Sequence, residues 1–274
     1  MPHKTLIQSK IMLRKIRIVL AALFFVGTTL LFLDFTGVAH EYLGWMAKIQ
    51  LWPAIIALNI AVVAGLLLLT LVLGRVYCSV ICPLGVLQDI INWLRARIGG
   101  KKTMKKRQCR HSYSPAKNWL RYGVLVVFVA MSFVGLSYFI APYSAYGTIA
   151  VSIFRPVYIW GNNILASMAE KYDSYLFYNK ELVFIGWASL ITAIATLLIV
   201  AVLAWRNGRT WCNTICPVGT ILGFFARFSW LKPYIDDTKC VNCGMCARRC
   251  KAACINFSEH SIDYSRCVDC MDCL

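Results

Sequence analysis

Long apolar stretches alternate with short charged ones along this chain. A bilayer-spanning helix needs about 20 apolar residues, and four stretches approach or exceed that length: residues 18–33, 51–73, 120–140 and 182–205. The segment 141–181 differs. Phe154, Val157, Tyr158, Trp160, Tyr172, Tyr175, Phe177 and Tyr178 lie in it among few charges, and aromatic residues of this kind favour the headgroup level. It reads as an interfacial or re-entrant helix on the outer face. Past residue 84 the pattern becomes amphipathic, and residues 84–97 read as a helix along the inner surface. Near the end of the chain, Ile255-Asn256-Phe257 and Ser261-Ile262-Asp263-Tyr264 read as short strands joined at Glu259-His260.

Composition agrees with a membrane protein. Hydrophobic residues make up 59% and charged residues 15%, against about 45–50% and about 25% in soluble domains. The 29 basic residues against 12 acidic ones could suggest nucleic acid, but the charges flank apolar stretches. Residues 1–17 carry five basic residues and no acidic one, and residues 95–121 carry ten, including Lys101, Lys102, Lys105, Lys106, Arg107 and Arg110. Basic residues are retained on the cytoplasmic side, so both termini are expected inside, with contacts to anionic lipid. A signal peptide is the competing reading of the first stretch, because Lys10, Arg14, Lys15 and Arg17 precede it; no clear small-residue cleavage site follows.

A repeat runs through the chain at an offset of 134 residues. Gly74-Arg75-Val76-Tyr77-Cys78-Ser79-Val80-Ile81-Cys82-Pro83-Leu84-Gly85 aligns with Gly208-Arg209-Thr210-Trp211-Cys212-Asn213-Thr214-Ile215-Cys216-Pro217-Val218-Gly219. Parallel repeats in membranes are related by an axis along the membrane normal, which would bring both motifs to one face. Pro83 and Pro217 suit the first position of a helix. Cys82 and Cys216 then sit at helix N-termini, where the dipole is expected to lower the thiol pKa. Arg75 and Arg209 add positive charge. Cys78, Cys82, Cys212 and Cys216 are therefore candidates for one shared four-thiolate site, holding an iron–sulfur cluster or another thiophilic metal. A redox-active dithiol at each motif is the other reading.

Eight of the thirteen cysteines fall within residues 240–273. Cys240-Val-Asn-Cys243-Gly-Met-Cys246-Ala-Arg-Arg-Cys250 has the C-x₂-C-x₂-C-x₃-C spacing, in which three close cysteines hold one [4Fe–4S] cluster and the fourth ligates another. Zinc sites usually use separated pairs. A second such run, Cys267-Val-Asp-Cys270-Met-Asp-Cys273, stops at Leu274. Cys250, Cys267, Cys270 and Cys273 form one expected ligand set. Cys240, Cys243 and Cys246 form the other, whose fourth member is expected beyond Leu274, as in a longer protein. Cys254 is either a substitute ligand or a structural thiol. Lys251 stands where proline usually follows the fourth cysteine, and Arg248, Arg249 and Lys251 are expected to raise the potential of the first cluster. Cys109 and the four histidines form no constellation, and no paired histidines indicate haem. Asp34, His40, Glu41 and Asp89 read as interfacial residues.

The predicted architecture is an all-α membrane domain of four spans in two parallel hairpin repeats, followed by a small α+β two-cluster ferredoxin-like domain. Its divisions are residues 1–17, 18–97, 98–118, 119–231 and 232–274. Two C-x₃-C-P motifs after paired membrane helices, then ferredoxin-type runs, resemble the membrane-bound 4Fe–4S polyferredoxin family. Its members include the ferredoxin-type quinol dehydrogenase subunit of periplasmic nitrate reductase systems and the membrane part of the nitrous-oxide reductase regulator. The resemblance rests on Cys78, Cys82, Pro83, Cys212, Cys216, Pro217 and the cysteines from Cys240 to Cys273. It implies a multi-pass protein of the bacterial inner membrane that exchanges electrons with quinone or quinol and with redox partner proteins, and not with nucleic acid. Alternatives are a redox-sensing regulator or assembly factor, and a copper reductase using the C-x₃-C-P cysteines.

Overall fold

A computed structural model describes residues 2–34, 37–98, 113–135, 140–170, 179–181, 186–238 and 240–273. The basic run around Lys101–Arg110 with Cys109, and Tyr172, Tyr175, Phe177 and Tyr178, lie outside the described residues.

The described chain is mainly helical. In order come α1 (Pro2–Leu33), α2 (Val38–Lys48), α3 (Leu51–Ile56), α4 (Ile60–Leu73), α5 (Val76–Val80) and α6 (Pro83–Ile98). Then follow α7 (Asn118–Phe133), α8 (Pro142–Ile149), a π-helical turn (Ala150–Phe154), α9 (Arg155–Glu170), α10 (Trp187–Asn207), a second π-helical turn (Trp211–Ile215) and α11 (Pro217–Ala226). A small unit closes the chain, with α12 (Met245–Arg249), β1 (Ile255–Asn256) and β2 (Ser261–Ile262). The strands pair antiparallel, Ile255 opposite Ile262 and Asn256 opposite Ser261.

Two helical segments are long and apolar enough to cross a membrane, Met12–Leu33 and Trp187–Asn207. Both leave large apolar side chains outward: Val19, Leu23, Val26 and Leu30 on the first, Ile191, Ile194, Leu198 and Val202 on the second. In water such faces would be an aggregation liability; lipid accepts them. The protein is therefore membrane-associated.

The predicted second span is interrupted. Leu58 adopts a left-handed conformation (φ 51°), and the Asn59 side chain accepts from the Val62 amide at 3.3 Å, starting α4 afresh. A sum over apolar residues does not register such a turn. The third apolar stretch is helical over Asn118–Phe133 and closes at Gly135 (φ 79°). The 141–181 segment is a helix from Pro142 to Glu170 with a π turn inside it. Its inner end is buried rather than lying flat: Tyr146 is fully enclosed and meets the Thr29 hydroxyl at 2.6 Å.

The two C-x₃-C-P segments match element by element. Gly74 (φ 73°) and Gly208 (φ 72°) each end an apolar helix in a conformation that favours glycine. Pro83 and Pro217 each open the next helix, α6 and α11. One continuous core links this region to the small unit, running from Leu51 and Tyr77 through Cys78 and Cys216 to Cys250, Ile255 and Val268.

Candidate metal centre

The backbone wraps each motif in the same way. The Cys82 amide donates to the Tyr77 carbonyl at 2.9 Å, and the Cys216 amide to the Trp211 carbonyl at 2.9 Å. These i→i+5 bonds tuck each second cysteine under its own turn. A β-carbon on Gly85 would lie 2.2 Å from the Cys78 carbonyl oxygen, and one on Gly219 would lie 2.1 Å from that of Cys212. Glycine at both positions is what lets the new helix approach the cysteine turn.

The halves are then bolted together reciprocally. Arg75 donates to the Cys212 carbonyl at 3.1 Å, and Arg209 donates to the Cys78 carbonyl at 2.7 Å. Both arginines have no exposed surface. Arg75 also donates to the Asn213 side chain at 2.9 Å and lies 3.8 Å from the Cys78 sulfur. Gln88 donates to the Cys212 sulfur at 3.1 Å.

Cys78, Cys82, Cys212 and Cys216 are all buried, and they share one interior. Burial raises the Cys82 thiol pKa, and Cys212 and Cys78 raise it further. Burial does the same for Cys216, with added repulsion from Cys212, Cys82 and Cys78. Cys212 is pushed to about 11 by burial and Cys78, although Arg209, Arg75 and the Gln88 bond pull it back. The expectation that helix N-termini lower the Cys82 and Cys216 pKa values is thus corrected. The Gly219 amide does donate to the Cys216 sulfur at 3.3 Å, but desolvation and neighbouring sulfurs outweigh that contribution. Four buried thiols that oppose each other's ionisation, set between two guanidinium groups, suit a cationic thiophilic centre.

The small unit carries a second repeat, at an offset of 27 residues. Cys240, Cys243 and Cys246 correspond to Cys267, Cys270 and Cys273. Asn242 (φ 52°) and Gly244 (φ 62°) correspond to Asp269 (φ 47°) and Met271 (φ 56°). Both runs therefore alternate handedness in the same register, which turns successive N–H groups inward toward an anionic centre. The first run is the more open, with Cys243 exposed; the second is more enclosed. Cys250, Cys254, Cys267, Cys270 and Cys273 line one apolar pocket between the hairpin and the last loop. The Cys250 pKa is lowered to about 6 by its contact with Cys254, against burial, with help from backbone N–H groups of residues 252–254. Burial pushes Cys270 up to about 12.

This second set docks directly onto the first. Arg75 donates to the Ser265 carbonyl at 3.0 Å, and its amide to the Asp269 carboxylate at 2.9 Å. The Arg209 amide donates to the Lys251 carbonyl at 3.0 Å, and Asn213 to the Ala252 carbonyl at 3.2 Å. Arg17 reaches the Cys270 carbonyl at 3.1 Å. At the centre is Asp89, paired with Arg17 at 2.9 Å, Arg209 at 2.7 Å and Lys251 at 3.7 Å. Burial alone would raise the Asp89 pKa, but Arg209, Lys251 and Arg17 hold it at about 2.

Two sequence readings change here. Asp89 is a buried hub and not a simple interfacial residue; its signal was the absence of any other acid from there to Glu170. Lys251 faces Asp89 and Asp272 (2.7 Å), away from the first run, which explains a cation where proline is usual. Arg248 does lie at the first run, donating to the Cys243 carbonyl. Asn213, Gln88 and Ser265 carried no recognisable signal. Asp34 accepts from the His40 amide at 3.2 Å, remote from the thiols in sequence and in these contacts.

Among the described residues, no three His, Cys, Asp or Glu side chains converge on a single ion-sized point. A cube-shaped cluster is broader than one ion, and its ligands stand apart around it. Buried thiols lining shared interiors, cradled by backbone N–H groups, define an iron–sulfur protein. The 4Fe-4S binding domain family matches residues 55–102 and 186–234, one match over each C-x₃-C-P motif. The chain is 28% identical to the methylamine utilization ferredoxin-type protein MauN of Paracoccus denitrificans over 216 residues, 78% of this chain and 61% of that protein. It is 28% identical to the ferredoxin-type protein NapH of Haemophilus influenzae over 199 residues, 72% of this chain and 55% of the relative. With the putative electron transport protein YccM of Escherichia coli the identity is 23% over 224 residues, 81% and 54% of the two chains. The chain thus spans little more than half the length of these relatives. No solved structure matches. The chain belongs to the ferredoxin-type polyferredoxin family and is an iron–sulfur electron-transport protein carrying 4Fe–4S clusters.

Proposed function

We propose that this chain is a multi-pass conduit that connects the quinone pool of a bacterial inner membrane to a cytoplasmic redox partner. In this reading the hairpin repeats form four spans, both termini are cytoplasmic, and the cysteines form three sets. Cys78, Cys82, Cys212 and Cys216 hold the innermost centre. Cys250, Cys267, Cys270 and Cys273 hold the next, and Cys240, Cys243 and Cys246 contribute to the outermost. When bound, [4Fe–4S] clusters supply one-electron carriers whose potentials respond to charge, hydrogen bonds and exposure.

The observation that carries this reading is the chain of contacts between the sets. Arg75 touches the Cys78 sulfur, the Cys212 carbonyl and the Ser265 carbonyl of the small unit. Arg17 and Lys251 continue the join. Exposure rises from the first set to the last: Cys212 is buried and Cys243 is exposed. Such a gradient suits a buried entry and an accessible exit. The two arginines offset thiolate charge that would otherwise be isolated in a medium of low polarity. Asp89 stays anionic between its three cations, so it serves docking and not proton uptake from a quinol.

The test is anaerobic reduction in proteoliposomes by a quinol analogue, followed by low-temperature EPR. Reduced-cluster signals are expected in the wild type and loss of quinol reduction in Cys212→Ser. Clusters that dithionite reduces but quinol leaves oxidised would refute the quinone assignment.

A further inference from the structure

The pocket of the small unit is lined by five cysteines, whereas a [4Fe–4S] cube takes four. Spacing singles out Cys250, Cys267, Cys270 and Cys273, which leaves Cys254. It is the most enclosed of the pocket's cysteines, 1% exposed against 6% for Cys250 and 8% for Cys270. Its sulfur lies 3.5 Å from the Cys250 sulfur, and its side chain also bonds that of Cys267. Two thiolates in contact without a shared cation would repel strongly in so apolar a pocket. One of the pair must carry the proton.

The local backbone decides which. The Cys250-Lys-Ala-Ala-Cys254 loop turns through Ala253, which is left-handed (φ 50°). That turn points the N–H groups of Ala252, Ala253 and Cys254 at the Cys250 sulfur, the arrangement that receives an anion. Cys250 is then the thiolate and Cys254 the S–H donor. A donor aimed at ligand sulfurs draws electron density from the centre and favours its reduced form.

We infer that Cys254 is not a ligand but a positioning residue, a buried S–H donor to the Cys250 and Cys267 sulfurs that raises the reduction potential of the cluster they hold. This rests on the assignment of Cys250, Cys267, Cys270 and Cys273 as one ligand set.

The experiment compares the full chain with Cys254→Ala, Cys254→Ser and Cys267→Ser, purified anaerobically in detergent. Iron and sulfide are counted, and potentials are read by EPR-monitored titration. Cys254→Ala is expected to keep its iron while one midpoint potential moves to more negative values. Cys254→Ser, whose hydroxyl restores a donor, is expected to bring that potential back toward the wild type. Cys267→Ser is expected to lose about four irons. Iron loss in Cys254→Ala equal to that in Cys267→Ser would make Cys254 a ligand and overturn the inference. Unchanged iron with an unchanged potential would reduce it to a packing residue. Full iron in Cys267→Ser would overturn the ligand assignment beneath it.

Discussion

Arg209 donates to the carbonyl oxygen of Cys78 at 2.7 Å, joining the second motif to the first across 131 residues of chain. Arg75 returns the contact to Cys212. These bonds turn a sequence repeat into one site with two equal contributors. They also predict how the site fails. Arg209→Gln removes a fully buried cation from Asp89, and breaking such a pair costs about 3–5 kcal/mol. Unfolding in detergent, followed by tryptophan fluorescence, should show a loss of that order. A loss below about 1 kcal/mol would mean that Arg17 and Lys251 suffice for Asp89.

The glycine pair offers a sharper geometric test. Gly85→Ala or Gly219→Ala places a methyl group about as close to a cysteine carbonyl as a covalent neighbour, 2.2 and 2.1 Å. The helix must retreat from its motif, so both variants should insert into membranes and bind less iron. Gly123→Ala meets nothing within 4 Å. It should keep its iron and gain about 0.5–1 kcal/mol, the helical preference for alanine. Iron content is the readout, and equal iron in all three would contradict the close approach.

Much of this site was legible in the residues alone. The repeat at 134 residues placed the motifs opposite each other, and the expected helix 84–97 lies within Pro83–Ile98. The strand pair near residues 255–262 is present as well. Tertiary contacts supplied the rest. The turn at Leu58 and Asn59 breaks an apolar stretch that composition reads as continuous. The Cys82 pKa follows from sulfurs that sit 130 or more residues away. The role of Asp89 needed three cations from three remote parts of the chain. None of these leaves a local pattern.

Asp89 also predicts an acid limb. Its folded pKa is about 2, below its ordinary value of 3.8. Its contribution to stability is therefore complete above about 3.8 and is lost as the pH falls through about 2. By linkage this amounts to about 2 kcal/mol. Wild type and Asp89→Asn should differ most near neutral pH and converge toward pH 2, as read by denaturant midpoints along a pH series. A difference that stays constant from pH 6 to pH 2 would show that Asp89 does not titrate with these partners.

Lys251 joins the small unit to the membrane part through Asp89 and Asp272. Lys251→Met keeps the aliphatic stem and removes the charge, leaving two buried carboxylates short of a partner. Hydrogen exchange should accelerate across residues 265–273, while amides of α10 remain as protected as before. Uniform protection would place the join elsewhere, in Arg75 and Arg17.

The account turns on whether the two motifs hold one centre between them. The direct measurement is iron and acid-labile sulfide per chain, determined anaerobically, in Cys78→Ser, Cys212→Ser and the double variant. A shared centre predicts that each single variant loses about four irons and that the double variant loses no more than either. Unchanged iron in the single variants, or a loss in the double that is the sum of the two, would contradict it.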